Sequence, residues 1–260
     1  MEMRIISDKK KIYDFLSRTP DLHLYTIGDL DDFFWPDTYW YALYEENQIV
    51  SIALLYSGMS PSTLLLFHEK DPTNSRILLS SIRKFLPDKF NVHLSPGLVD
   101  LFGMENIAQN YGYNFRMILK GDPEPVTDPN IRRLNLRDLN KIDKLYLIAY
   151  PQNWFDSRML KTGKYFGYFE SGMLVGIAGI HVYSPEYRIA ALGNIATHPD
   201  FRGRKIAYKV TSALCNDLKM SADIIGLNVK SDNEAAIKCY QNIGFGIRSS
   251  FDEYLITNVR

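Results

Sequence analysis

The chain has 260 residues, 46% of them hydrophobic, with 30 basic and 30 acidic side chains and a formal net charge of +0. This length and hydrophobic share exclude gross disorder and leave room for one large domain or two small ones. The balanced charge excludes a general nucleic-acid or polyanion binder, whose surface would be basic overall, yet leaves a local phosphate site open. No apolar run approaches the ~18 residues of a membrane span. The start, Met1-Glu-Met-Arg-Ile-Ile-Ser-Asp-Lys-Lys-Lys11, lacks the apolar core of a signal peptide. Cys215 and Cys239, both on predicted helices, read as free thiols. The expectation is therefore a cytoplasmic protein with neither nucleic acid nor membrane as partner.

In chain order, the first distinctive segment is Gly28-Asp-Leu-Asp-Asp-Phe-Phe-Trp-Pro-Asp-Thr-Tyr-Trp-Tyr41, where acids alternate with aromatic rings. Such a segment suits a cationic amine, and equally reads as core packing with a solvated acidic loop. Trp40 to Leu55 then reads as strand, polar turn, strand. Gly121 to Pro129 holds three prolines and reads as a stiff, extended connector. The expected division is 1–120, a linker at 121–129, and 130–260.

The two halves resemble each other. Trp40–Leu55 parallels Tyr165–Ile180 without a gap, aligning Glu45 with Glu170, Val50 with Val175 and Ala53 with Ala178. Later, Gln109–Tyr113 parallels Gln241–Phe245, which sets Ala108 opposite Tyr240. The first half has no run like Arg202-Gly-Arg-Lys205 of the second; its nearest counterpart is Phe67–Ser75. Residues 1–120 are thus expected to keep the scaffold without that basic run, and to shape a pocket of the second half, cover it or mediate homodimerisation.

In the second half, Leu134–Tyr150 carries helical spacing at Leu139, Ile142 and Leu145, and Trp154–Leu160 reads as a short second helix. Strands are expected at about 164–170, 173–183 and 187–197. Pro199 and Asp200 end the last of these. Then come Arg202-Gly-Arg-Lys205 and a helix with apolar residues at Ile206, Val210, Leu214 and Leu218. The first turn of a helix has N–H groups without intrahelical partners and a dipole that favours negative charge. Gly203 lets a ligand come close, while Arg202, Arg204, Lys205 and Lys209 add charge. The same pattern fits a solvated basic turn, since anion sites at helix starts are nonspecific. A strand at Ile224–Val229 follows. Ser231 reads as an N-cap with Glu234 three residues later, opening a helix that carries Ala236, Tyr240 and Ile243 and stops at Gly244.

Strand, basic turn, helix, strand, capped helix and Gly-aromatic, in that order, resemble the GNAT N-acetyltransferase superfamily. The matching pieces are Thr197–Ala207 and Asn228–Phe245. The resemblance spans about 130–260. It implies an α+β fold of tandem GNAT-like domains, each a mixed, mainly antiparallel sheet flanked by helices. The family turn is R/Q-x-x-G-x-G/A; Arg202 and Ala207 fit, whereas Lys205 stands where glycine is usual. A lysine in helical conformation is expected to donate its N–H there all the same. The N-terminal segment is weakly similar to the glycine N-acyltransferase-like branch.

The resemblance implies an acetyl-CoA- or acyl-CoA-dependent N-acyltransferase acting on a primary amine of a small molecule or peptide, with no metal. The alternative is a CoA-binding regulatory or interaction module without catalysis. Cofactor contacts are expected from the main chain of Ile195, Ala196 and Thr197, from the turn Arg202, Gly203, Arg204, Lys205, Ile206 and Ala207, and from Asn233. Tyr240 matches the tyrosine facing the cofactor sulfur. With a phenol pKa near 10 and a thiol near 8.5, a hydrogen bond to developing thiolate is easier than full proton transfer. An amine of pKa ~10.4 needs help to deprotonate at pH 7; Glu186, His181, His198 and Asp156 are open candidates. The scattered histidines and two cysteines lack metal-ligand spacing.

Overall fold

The alternation around the Glu45–Gln48 turn becomes an antiparallel hairpin in the computed structural model, which describes residues 1–257. One unit of the chain comprises Met1–Arg116, Lys230–Asp232 and the residues from Arg248 onward. Its elements are β1 (Glu2–Ile6), α1 (Lys9–Leu16), α2 (Leu24–Gly28), β2 (Thr38–Glu45), β3 (Gln48–Tyr56), β4 (Ser62–Leu66), α3 (Thr73–Ile82), β5 (Lys89–Leu94) and most of β6 (Ile107–Leu119). β1, β2, β3 and β4 pair as antiparallel neighbours, and β4 pairs with β5 in parallel. Leu78, Leu79 and Ile82 of α3 are buried with Leu64, Leu66, Phe90 and Val92, so the helix stripe closes on the inward face of the sheet.

The other unit comprises Met117–Val229 and Asn233–Ile247. It holds β7 (Ile131–Arg133), α4 (Leu139–Ala149), β8 (Phe166–Glu170), β9 (Met173–Ser184), β10 (Ile189–Thr197), α5 (Ile206–Leu218), β11 (Ile224–Lys230), α6 (Glu234–Ile243) and the start of β12 (Phe245–Thr257). β7, β8, β9 and β10 run antiparallel, and β10 pairs with β11 in parallel. This is the expected α+β class, mixed sheets flanked by helices. β9 is buried along nearly its whole length, as a strand covered on both faces must be. Val210, Leu214 and Leu218 of α5 are fully buried.

These units and the expected limits differ at the C-terminus: Asp252–Thr257 pair with Leu94–Lys89 of β5, in the first unit. The Pro-rich connector is extended but docked. Asp128 pairs with Lys209 at 2.8 Å, and the Glu124 main-chain oxygen accepts from Asn216. No helix among the described residues is long and apolar enough to cross a membrane.

Several local expectations shift. The first helix of the second half begins as a 3-10 turn at Leu136–Asp138, capped by Asn135, before α4 proper. The expected helix at 154–160 is a 3-10 helix over Ser157–Thr162, because Asp156 caps it by accepting from Arg158 N–H. Ser231 is not the N-cap of α6. Its N–H donates to the Tyr113 oxygen at 2.9 Å, which keeps it out of the helix; Asn233 caps instead, accepting from Ala236 N–H. The second repeat match also fails in structure. Gln109–Tyr113 lie inside β6, whereas Gln241–Ile243 are helical, so Ala108 is no helical counterpart of Tyr240. The residues before β6 form only 3-10 turns, Val99–Phe102 and Met104–Asn106.

Candidate functional site

The parallel ladder between β10 and β11 stops early. Pairs run from Ile189↔Ile224 to Leu192↔Leu227, yet β10 continues to Thr197 and β11 to Lys230. Beyond Leu192 the β11-facing edge of β10 therefore has no ladder partner on that strand. Main-chain groups without partners are costly unless something satisfies them. On its other side β10 stays paired with β9 through Ala196↔Ile177 and Thr197↔Gly176, with one extra residue inserted between Gly193 and Ala196. That insertion is a β-bulge, and Asn194 in it has φ 55°. Left-handed backbone is rare for non-glycine residues, but asparagine tolerates it best.

A network fixes the bulge. Asn194 is 2% exposed. Its Oδ1 accepts from Trp154 N–H at 3.1 Å, its Nδ2 donates to the Tyr165 hydroxyl at 3.0 Å, and its main-chain oxygen accepts from the Tyr146 hydroxyl at 2.7 Å. Tyr165 in turn donates to the Ile180 oxygen at 2.8 Å. Burial raises the pKa of both phenols, so they remain proton donors throughout the neutral range. Phe155 packs between the rings of Tyr146 and Tyr165, at 5.4 and 5.5 Å. Glycines make the close approaches possible: a Cβ at Gly179 would lie 2.0 Å from the Tyr165 ring, and one at Gly193 would lie 1.6 Å from His181 Cδ2. The His181 imidazole therefore lies against the strand one residue before the bulge.

After Thr197 comes the basic turn. His198 Nδ1 accepts from Asp200 N–H at 3.3 Å, and Pro199–Phe201 form a 3-10 turn. Gly203 has φ 77°. Lys205 is not helical, as the sequence had suggested; it is the N-cap of α5, with φ 59° and ψ 20°. The lysine thus takes the left-handed conformation that glycine adopts without strain. The first helical hydrogen bond into this end is Lys209 N–H to the Lys205 oxygen, which leaves the N–H groups of Ile206, Ala207 and Tyr208 at an uncovered helix start.

Two of the four basic residues are already neutralised: Arg204 makes a two-pronged contact with Glu170 at 2.9 Å, and Lys209 pairs with Asp128. Among the described residues, Arg202 and Lys205 form no ion pair and are exposed.

The arrangement fits an extended, phosphorylated thioester in three ways. The unladdered edge of Ile195–Thr197 can pair with an amide-bearing arm. The Thr197 hydroxyl is shielded from water without a protein partner. The helix start beyond offers N–H donors and positive charge to a pyrophosphate. Asn233 uses its Oδ1 to cap α6 at 3.1 Å. Tyr240, half-buried on α6, stacks edge-to-face on Phe245 at 6.1 Å.

The candidate bases separate. Glu186 lies in the β9–β10 turn, at the far end of β10, roughly 25 Å from Thr197 at about 3.3 Å per residue. Asp156 is bound by Arg158, and that hydrogen bond lowers its pKa, making it a poor base. His181 alone of the four lies against the bulge. No group of His, Cys, Asp or Glu among the described residues could hold a metal ion.

Among the described residues of the first unit, the strand pairs in the corresponding places, β3 with β4 and β4 with β5, neither bulge nor part. β3 and β4 pair in unbroken register. β4 and β5 pair to Leu66↔Leu94, and the zip continues: Ser95 N–H donates to the Leu66 oxygen, His68 N–H to Ser95 Oγ, and Ser95 Oγ to the His68 oxygen. Part of the acidic-aromatic segment is engaged by Lys9 of α1. The Lys9 ammonium lies 4.8 Å from the Trp35 ring centroid and 2.5 Å from Asp32.

Residues 130–245 match the profile described as the Acetyltransferase (GNAT) family. The chain is 25% identical over 135 residues to the N-alpha-acetyltransferase RimI of Mycobacterium tuberculosis, covering 49% of this chain and 82% of that protein. Two solved structures share the fold along the whole chain. A Drosophila protein superposes with a TM-score of 0.74 at 12% identity, covering 98% of each chain. A tandem GNAT protein from the clavulanic acid biosynthesis pathway superposes with a TM-score of 0.59 at 13% identity, covering 99% of this chain and 98% of that one.

Proposed function

We propose, from the premise that residues 130–245 belong to the Acetyltransferase (GNAT) family, that the second unit moves an acetyl or other acyl group from acyl-CoA to a primary amine of a small molecule or peptide. The amine nitrogen attacks the thioester carbonyl carbon directly, the carbon–sulfur bond breaks, the thiolate leaves, and the nitrogen gives up a proton. The observation that carries this reading is the parting of β10 from β11 after Leu192, directly followed by the left-handed basic turn at Gly203–Lys205.

The reading gives each residue a role. The main chain of Ile195, Ala196 and Thr197 pairs with the pantetheine arm and presents N–H groups that polarise the thioester carbonyl. The N–H groups of Gly203 to Ala207 and the Arg202 guanidinium hold the pyrophosphate. A charge-assisted hydrogen bond contributes roughly 1.5–3 kcal/mol, so two or three of them suffice to anchor the donor. Arg204, paired with Glu170, fixes the turn more than it neutralises phosphate. Tyr240 donates a hydrogen bond to developing thiolate, and Asn233 is a further cofactor contact. His181, against Gly193, accepts the amine proton directly or through water. The first unit, with its strand pair closed by Ser95, is a scaffold copy without a donor site.

Release of free thiol from acetyl-CoA, measured over a panel of amines and N-terminal peptides, tests the reading. Amine-dependent release that falls at least about tenfold in Tyr240→Phe is the expected result. Saturable acetyl-CoA binding without release on any amine would instead leave a non-catalytic binding module.

A further inference from the structure

Asn194 joins segments that the sequence keeps far apart. Its side-chain oxygen holds Trp154 N–H in the loop after α4, its side-chain nitrogen holds Tyr165 ahead of β8, and its own backbone makes the bulge of β10. Both polar ends of the amide are occupied and the residue is buried, so neither bond is exchanged for water without opening the site.

The two faces of β9 differ. One is closed by α5, whose Ile206 lies against Gly176. The other carries Gly179 beneath Tyr165, and His181, which lies over Gly193, the direct cross-strand partner of Gly179. The loop holding Trp154 and Phe155 packs on this second face, with the Trp154 side chain 49% exposed. On the acyl-transfer reading, an amine approaches a thioester held along Ile195–Thr197 from the side opposite α5, where His181 and the Trp154 loop lie.

We infer that Asn194 is a positioning residue that sets the acceptor side of the site: its amide ties the Trp154 loop to the bulge, so one side chain registers the acceptor loop against the donor-holding strand. The inference rests on the acyl-transfer reading above. It separates two roles of one residue. The left-handed backbone makes the bulge, and the amide holds the loop. Glycine keeps the first and deletes the second.

The experiment uses the full chain with Asn194→Gly and Asn194→Ala, reading amide hydrogen exchange at Trp154 together with separate KM values for acetyl-CoA and for the best amine. In Asn194→Gly, exchange at Trp154 is expected to quicken by up to about tenfold, the scale of one lost hydrogen bond. Acceptor KM rises by a similar factor while acetyl-CoA KM stays within about twofold. In Asn194→Ala, where the positive φ is strained, both KM values rise. Tyr165→Phe, which removes the acceptor of the Nδ2 proton and keeps the ring over Gly179, shows the Asn194→Gly pattern more weakly and serves should the glycine variant fail to fold. Unchanged exchange at Trp154, or equal rises of both KM values in Asn194→Gly, overturns the inference. Absence of turnover in the unaltered protein counts against acyl transfer instead, and the exchange measurement still reads on the Asn194–Trp154 tie.

Discussion

Gly176 of β9 lies directly against Ile206, the first residue of α5: a Cβ at Gly176 would stand 2.2 Å from Ile206 Cγ2. The missing side chain sets how near the helix start comes to β9, beside the end of β10 where the proposed donor site lies. Gly176→Ala must push the first turn of α5 away, and overpacking of this kind costs about 1–3 kcal/mol. The expected outcome is a lower Tm and a several-fold higher acetyl-CoA Kd by calorimetry, with Gly176→Val worse. An unaltered Kd in a folded Gly176→Ala variant would separate the helix start from donor binding.

Lys205 carries backbone strain that glycine would not. Left-handed backbone costs a residue with a Cβ roughly 1–2 kcal/mol, partly offset by the extra unfolded-state freedom of glycine. Lys205→Gly is therefore expected to be as stable as the parent or up to about 1 kcal/mol more stable by denaturant unfolding, and to keep acetyl-CoA binding with a shallower salt dependence, since one unpaired cation is gone. Clear destabilisation would contradict the left-handed assignment.

How much of this was readable from the chain follows from which features are local. The onset of α5 at Ile206, the strands of 166–197 and the Gly244 stop are written in periodicity and turn residues. The basic turn was found because charge and glycine stand adjacent. The conformation of Lys205 was missed, because a lysine gives no sign of positive φ. Asn194 was missed as a site residue because an asparagine at a strand end looks unremarkable; its partners Trp154, Tyr165 and Tyr146 come from distant segments. The parting of β10 and β11 is a matter of pairing register, which no single segment encodes. Ser231 looks like a cap in the sequence because its competing partner, Tyr113, is remote along the chain.

Asp29, in the first unit, is buried, and burial pushes its carboxyl up to about 8. The folded state then holds a proton that the unfolded chain releases near pH 4, so stability falls as pH rises from about 4 to about 8. Asp29→Asn removes this dependence. Its Tm should match the parent near pH 4 and exceed it increasingly toward pH 8. Parallel Tm curves for the two proteins would show that Asp29 is ionised in the fold.

Asp138 shows the opposite sign. Its bond to Arg132, at 2.6 Å, holds its carboxyl below the usual range, against the desolvation that would raise it. It also accepts from Asn135 N–H, capping the turn that leads into α4. Its stabilising contribution is complete above the unfolded pKa and is lost as pH falls through the lower folded value. Asp138→Asn should cost about 2 kcal/mol at pH 7, the scale of hydrogen bonds to a charged group, and less at pH 2. Urea unfolding at the two pH values reads the difference.

The proposed acyl-CoA site is the edge of β10 beyond Leu192 together with the turn leading into α5. The most direct test is the amide 15N–1H correlation spectrum of the labelled protein titrated with acetyl-CoA. Saturable shifts concentrated at Ile195–Thr197 and Gly203–Tyr208 are expected, with the amides of His68 and Ser95 unmoved. A spectrum that does not change at millimolar acetyl-CoA, or one whose shifts gather around His68 and Ser95 instead, would contradict it.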